Sequence, residues 1–130
     1  MNFVDAKVVK GSKGNALKFD KYEIPVPAAK SKALDAYIGR DVVLGIRPEH
    51  VHDEPEFLEK MTSDTIIDAN VDVTELMGAE IYLYLNINGA PITARVDPTS
   101  KAKPGDTIKI AFDLDKIHVF DKETEQTITN

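Results

Sequence analysis

Apolar and polar residues alternate with a period of two along most of the chain, the signature of half-buried strands. Phe3–Lys10 reads as a strand that ends at the turn Gly11-Ser12-Lys13-Gly14-Asn15. Leu17 and Phe19 share one parity; beyond Asp20-Lys21 the parity moves to Tyr22, Ile24 and Val26. Such a flip predicts a bulge or a tight turn between two short strands. Pro25 and Pro27 bar a central position in a sheet there. Ala28–Ile38 is the one helix candidate, with Ala33, Leu34, Tyr37 and Ile38 at helical spacing and Gly39 placed to end it. Val42–Ile46 is a continuous apolar run and predicts a strand buried on both faces. Asp53–Met61 is acidic, contains Pro55 and reads as a loop with one helical turn.

The second half repeats the strand pattern more cleanly. Ile67, Ala69, Val71 and Val73 predict one long strand, and Ile81, Leu83, Leu85 and Ile87 a second after Gly78. Asn88-Gly89 is a hairpin signal, because both residues tolerate positive φ. Ile92, Ala94 and Val96 return beyond it, and Lys103-Pro104-Gly105-Asp106 turns again. Ile108, Ile110 and Phe112 alternate, Ile117–Phe120 forms a further strand, and Asp121-Lys122-Glu123-Thr124 turns into a last one at Thr127-Ile128. Short strands with frequent turns predict a mainly β chain built on a small antiparallel barrel. Residues 1–130 read as one domain, or as two intertwined β subdomains with a soft boundary at Asp53–Asp64.

Composition narrows the classes. With 42% apolar and 29% charged residues the chain is of ordinary globular type. A net charge of −6 argues against a nucleic-acid partner. No apolar run reaches membrane-span length, and no basic region followed by an apolar stretch opens the chain. The absence of cysteine removes disulfides, thiolate catalysis and zinc–sulfur sites, which fits the cytoplasm.

Two motifs stand out: Gly45-Ile46-Arg47-Pro48-Glu49-His50, and Val73-Thr74-Glu75-Leu76-Met77-Gly78-Ala79-Glu80 running into Ile81-Tyr82-Leu83-Tyr84-Leu85. Together they resemble the C-terminal regulatory domain, of TOBE/OB-fold type, of ABC importer ATPases of the maltose/oligosaccharide family. Met1-Asn2-Phe3, Pro104-Gly105-Asp106 and Ile117–Phe120 with the acidic turn after it extend the likeness along nearly the whole chain. The resemblance implies an OB-type barrel with a smaller β-rich part packed on it. It implies a second copy of the same subunit as partner, and membrane subunits reached through an ATPase domain. It also implies a cytoplasmic regulatory protein, and a place at the inner face of the cell membrane. No GxxxxGK[ST] loop is present, so ATP and Mg would belong to the parent subunit and this chain would hold no cofactor. A start at Met1-Asn2, inside the family's junction, suggests excision from a larger protein rather than a stand-alone homologue.

The chemistry-bearing residues have modest readings. Gly45, Arg47, Pro48, Glu49, His50, Glu75 and Gly78 are taken as structural members of the family motifs. Pro48 would end the buried strand, with Arg47 and Glu49 pairing or binding backbone at a corner. A histidine beside a carboxylate also suits acid–base work, which makes Arg47, Glu49 and His50 the only support for an enzyme. His50 and His52 would share a strand face, with Asp53 or Glu54 near, as at most an incidental metal site. His118 would be packed or half-exposed, and the Asp53–Glu59 run a solvated loop. Gly78 would shape a barrel corner by conformation alone. Tyr82 and Tyr84 lie on the face opposite Ile81, Leu83 and Leu85, with Glu80 and Asn86 beside them and no interleaved Lys or Arg. They are the candidate protein–protein interface. A second reading, a sensor of an oxyanion or sugar, would start from Thr99-Ser100-Lys101, with backbone amides forming the cage. Single-strand nucleic-acid binding rests on fold analogy alone.

Overall fold

A computed structural model describes residues 1–130. The chain is mainly β structure, and all of its strand pairs are antiparallel. Strands β1 (Asn2–Gly11), β2 (Gly14–Phe19) and β3 (Tyr22–Pro25) form a meander. Its second turn is Asp20-Lys21, with Asp20 at φ 53°, so the parity flip is a tight turn. β3 is an edge strand, where Pro25 removes no needed ladder bond. β4 (Asp41–Ile46) pairs with β1, and β10 (His118–Asp121) and β11 (Thr127–Thr129) extend the sheet on the far side. The order is β11-β10-β4-β1-β2-β3.

The second sheet holds β5 (Val51–His52), β6 (Ile67–Met77), β7 (Glu80–Ile87), β8 (Ala90–Val96) and β9 (Thr107–Phe112) in the order β5-β9-β6-β7-β8. β5 lies against β8, which brings the ends of this sheet together as a nearly closed five-strand barrel. Asn88-Gly89 forms the β7–β8 hairpin with φ of 50° and 95°, the pair of positive angles a type I′ turn requires.

The segment predicted as one helix is two short ones. α1 (Ala28–Ser31) is a single α-turn, and Lys32–Tyr37 continues as a 3-10 helix. Leu34 is buried and Tyr37 half-buried, whereas Ala33 and Ile38 are exposed. A contact stripe spaced by three residues fits a 3-10 turn as well as an α-helix. The buried Asn15 of β2 fixes the segment, its Nδ2 donating to Ser31 O at 2.8 Å and Asp35 Oδ1 at 2.7 Å. α2 (Pro55–Leu58) is the one helical turn expected in the acidic stretch. None of these helices is long and apolar enough to cross a membrane.

One contiguous core of 25 buried residues draws on both sheets, from Val4, Leu17 and Leu44 to Leu83, Ile110 and Phe112. Full burial of such side chains contributes about 1.5–3 kcal/mol each. The chain crosses from sheet to barrel at Arg47–His50 and back at Asp113–Ile117. Asp53–Asp64 therefore lies inside the barrel's run of chain, and its acidity reflects a solvated turn rather than a passage between units. Two polar bridges reinforce the crossing. Asn2 Nδ2 donates to Thr93 O and Thr93 N donates to Asn2 Oδ1, both at 2.8 Å, and Asn88 Nδ2 donates to Asp20 Oδ1 at 2.8 Å.

Candidate functional site

The Gly45–His50 motif occupies the first crossing. Gly45 is buried between its neighbours on β1 and β10, and a methyl there would lie 2.8 Å from both Met1 Sδ and Phe120 Cε2. Pro48 opens a one-turn 3-10 helix, Pro48–His50, at a position that needs no N–H. His50 N donates to Arg47 O at 3.0 Å and Asp113 N donates to His50 O at 2.9 Å, so backbone bonds tie the two crossings together. Arg47 is exposed and forms no ion pair with Glu49. The Glu49 carboxyl is held below its usual range by its own backbone N–H first, then by the charges of Arg95, His50 and Arg47. His50 Nδ1 is buried without a partner.

His50 and His52 do not share a strand, because the 3-10 turn separates them. His52 instead stacks on Phe57 at 3.9 Å between ring centroids and meets Glu54 Oε1 through Nδ1 at 2.7 Å. Asp53 accepts from Ser100 Oγ at 2.6 Å, and burial pushes its carboxyl up despite that bond. The Thr99–Lys101 loop thus faces Asp53, Glu54, Asp97 and Asp106 around a shared groove. Carboxylates on that wall disfavour an oxyanion. His118 is half-buried, with Nδ1 2.8 Å from Asn130 Oδ1 and its ring stacked near Phe120.

The residues with exposed chemistry meet on the β6–β7 arm. Pairing shifts between Val71 and Val73, so Asp72 is a bulge. Val73 therefore leaves the buried face predicted for it and is 51% exposed. Beyond the bulge Val73 pairs with Tyr84, Glu75 with Tyr82 and Met77 with Glu80. Gly78-Ala79 closes the arm as a two-residue turn, with Gly78 at φ 62° and open space around it. Gly78 is thus a hairpin tip rather than a barrel corner. Leu76 is 71%, Met77 51% and Tyr84 37% exposed.

β8 adds what the linear pattern lacked. Arg95 pairs with Tyr82 across β7–β8, and its Nε donates to Glu80 Oε2 at 2.7 Å. Tyr84 OH donates to Glu75 Oε1 at 3.2 Å, which raises the phenol's pKa. The outer face of the arm thus carries half-buried Tyr82 opposite Glu75 and exposed Tyr84 opposite Val73, with Met77 beyond them at the tip. Exposed tyrosine rings with apolar neighbours suit macromolecular contact. The sequence signal for the tip was Leu76-Met77 directly before a turn glycine, where no strand remains to cover them.

Residues 44–120, more than half of the chain, match the family model described as the TOBE domain. The chain belongs to the TOBE domain family. Residues 1–51 of this TOBE chain also match the MalK OB fold domain. It is 38% identical over 130 residues to the oligosaccharides import ATP-binding protein MsmX of Bacillus subtilis, covering 98% of this chain and 34% of the relative. It is 33% identical to the sulfoquinovosyl glycerol transport ATP-binding protein SmoE of Agrobacterium fabrum, with 98% and 33% covered. It is 28% identical to the trehalose/maltose import ATP-binding protein MalK of Thermococcus litoralis, with 98% and 34% covered. The chain spans about a third of the length of these curated relatives. Among solved structures, the molybdate-bound cytoplasmic protein ModG superposes with a TM-score of 0.66 at 16% identity, covering 91% of this chain and 94% of that one. At that identity the likeness speaks for the fold alone.

Proposed function

We propose that this TOBE chain is the regulatory and dimerisation module of the ATP-binding subunit of an ABC oligosaccharide importer. The observation that carries the proposal is the match to sugar-import ATP-binding proteins along 98% of the chain. In this reading ATP and Mg are bound, and ATP is hydrolysed, elsewhere in the parent subunit. The parent subunit also meets the membrane subunits and lies at the cytoplasmic face of the membrane. Two modules that associate keep their ATPase domains at high effective concentration after the nucleotide sites part. The tyrosine-bearing outer face of the arm is the surface offered to the second copy or to a cytoplasmic regulatory protein.

Sedimentation at rising concentration tests the reading. A weak monomer–dimer equilibrium is expected, shifted toward monomer by Tyr82→Ala and Tyr84→Ala. A strictly monomeric profile at high concentration counts against dimerisation by this module. A dimer untouched by both substitutions keeps the function and moves the contact away from the tyrosines.

A further inference from the structure

Of Asn2, Asn15, Asn70, Asn86, Asn88 and Asn130, only Asn88 is followed by glycine. Four of the others precede Phe3, Ala16, Val71 and Ile87, whose side chains shield the backbone nitrogen beside the amide, and Asn130 is the last residue. Asn88 and Gly89 are both exposed, at the β7–β8 turn. The Asn88 side chain reaches out of the barrel: Nδ2 donates to Asp20 Oδ1 at 2.8 Å, in the β2–β3 turn of the first sheet. Gly89 N donates to Asn86 Oδ1 at 3.2 Å. The orientation of both side-chain amides follows from their partners, because an ionised carboxylate only accepts. Asp20 therefore draws the nitrogen of Asn88. Asp72 draws the nitrogen of Asn86, at 2.8 Å, which leaves Asn86 Oδ1 to face Gly89.

We propose that Asn88 is a site of spontaneous deamidation, and that Asp20 and Asn86 hold the reaction back in the folded chain. The only co-reactant is water. Gly89 N gives its proton to solvent and attacks Asn88 Cγ. The N–Cγ bond forms as the Cγ–Nδ2 bond breaks, and Nδ2 takes a proton from solvent and leaves as ammonia, closing a cyclic imide. Water then opens the imide. Cleavage at Cγ gives aspartate; cleavage at the Asn88 carbonyl carbon gives isoaspartate, with the main chain rerouted through Cγ. Nothing is oxidised or reduced. Glycine suits the attack because no side chain crowds its nitrogen. In the fold neither reacting group is free. The Asn88 amide is tethered across to Asp20 and the Gly89 N–H is engaged by Asn86, so the turn must open locally before the ring can close. Either product adds a negative charge to a chain already at −6. An aspartate in place of Asn88 sets two carboxylates against each other where a polar bridge joined barrel and first sheet. Isoaspartate lengthens the main chain of a loop whose type I′ geometry fixes the hairpin. The reaction thus makes a transient opening of that contact permanent.

Prolonged warm incubation of the full chain, followed by intact-mass measurement and peptide mapping, tests the site. Acid product should accumulate at Asn88 ahead of every other asparagine. Asp20→Gly removes the tether without strain, since Asp20 sits at φ 53°. Asp20→Gly and Asn86→Ala, each checked for folding by circular dichroism, should speed the reaction several-fold. Asn88→Asp reproduces one product and should lower the urea midpoint. Adding Asp20→Asn to it exchanges donor and acceptor across the bridge and should recover the midpoint. Product spread evenly over several asparagines, or none at Asn88 in any variant, overturns the site. Equal rates in the unaltered chain, Asp20→Gly and Asn86→Ala overturn the restraint by Asp20 and Asn86. An Asn88→Asp midpoint that is unchanged, or that Asp20→Asn does not recover, overturns the breaking of the bridge.

Discussion

Gly45 shows how a single missing side chain can hold a motif. It adopts no unusual φ, so its role is space: β1 and β10 flank it, and Met1 and Phe120 pack across it. Gly45→Ala puts a methyl 2.8 Å from both. Met1 can swing aside, but Phe120 sits on a central strand. The expected cost is about 1–3 kcal/mol, the usual range for overpacking, read from chemical denaturation. Adding Phe120→Ala should recover part of it, and strictly additive costs would place the strain elsewhere. Asp121 makes a second residue-scale case. Its carboxylate accepts from Thr124 N at 3.1 Å and Glu123 N at 2.9 Å, with Arg40 at 3.9 Å. Those bonds, Thr124 first, lower its pKa. A carboxyl depressed in the folded state adds stability that is fully present above the ordinary value of about 3.9 and is lost as pH falls through the folded value. Asp121→Asn keeps an acceptor and removes the charge. Its stability curve below about pH 4 should fall less steeply than that of the unaltered chain; parallel curves would mean the two turn bonds do not discriminate between the charge states.

At the scale of elements, turns were legible and pairing was not. Asn88-Gly89, Asp20-Lys21 and Pro104-Gly105 announce themselves because their conformations need particular residues. Gly78 belongs with them. A β-branched side chain at φ 62° is strained wherever it points, so Gly78→Val should lower stability by about 1–3 kcal/mol. The space around it is open, so no neighbouring residue adds a clash to that backbone strain. An unchanged denaturation midpoint would require the arm to reclose with another turn. The bulge at Asp72 is different. Val71-Asp72-Val73-Thr74 reads as perfect alternation, and only the register against β7 reveals the extra residue that turns Val73 outward. The Tyr82–Arg95 row was invisible for the same reason, since no local pattern says which residue of β8 stands opposite β7. The 3-10 helix was half-legible: Leu34 and Tyr37 marked a buried face, and the Asn15 tether that fixes its pitch comes from another strand.

At the scale of the whole molecule the interleaving of the two sheets decides how the chain unfolds. The barrel is an insertion between β4 and β10, so the first sheet is assembled from two separate stretches of chain. Their apolar faces share one core, and Asn2 closes a bidentate amide bridge from the first strand to the barrel's β8. Opening one sheet strips burial from the other, so the two should melt together in a single two-state transition, as single domains of this size usually do. Tyrosine reports on both halves without a competing tryptophan: Tyr22 and Tyr37 lie on the first, Tyr82 and Tyr84 on the second. Urea unfolding followed by the fluorescence of Tyr82→Phe/Tyr84→Phe and of Tyr22→Phe/Tyr37→Phe should give coincident transitions, normalised to each variant's own circular dichroism. Asn2→Ala should lower both midpoints together. Two separated transitions, or a loss confined to the barrel, would mean that the shared core is too thin to couple the halves and that they act as distinct subdomains.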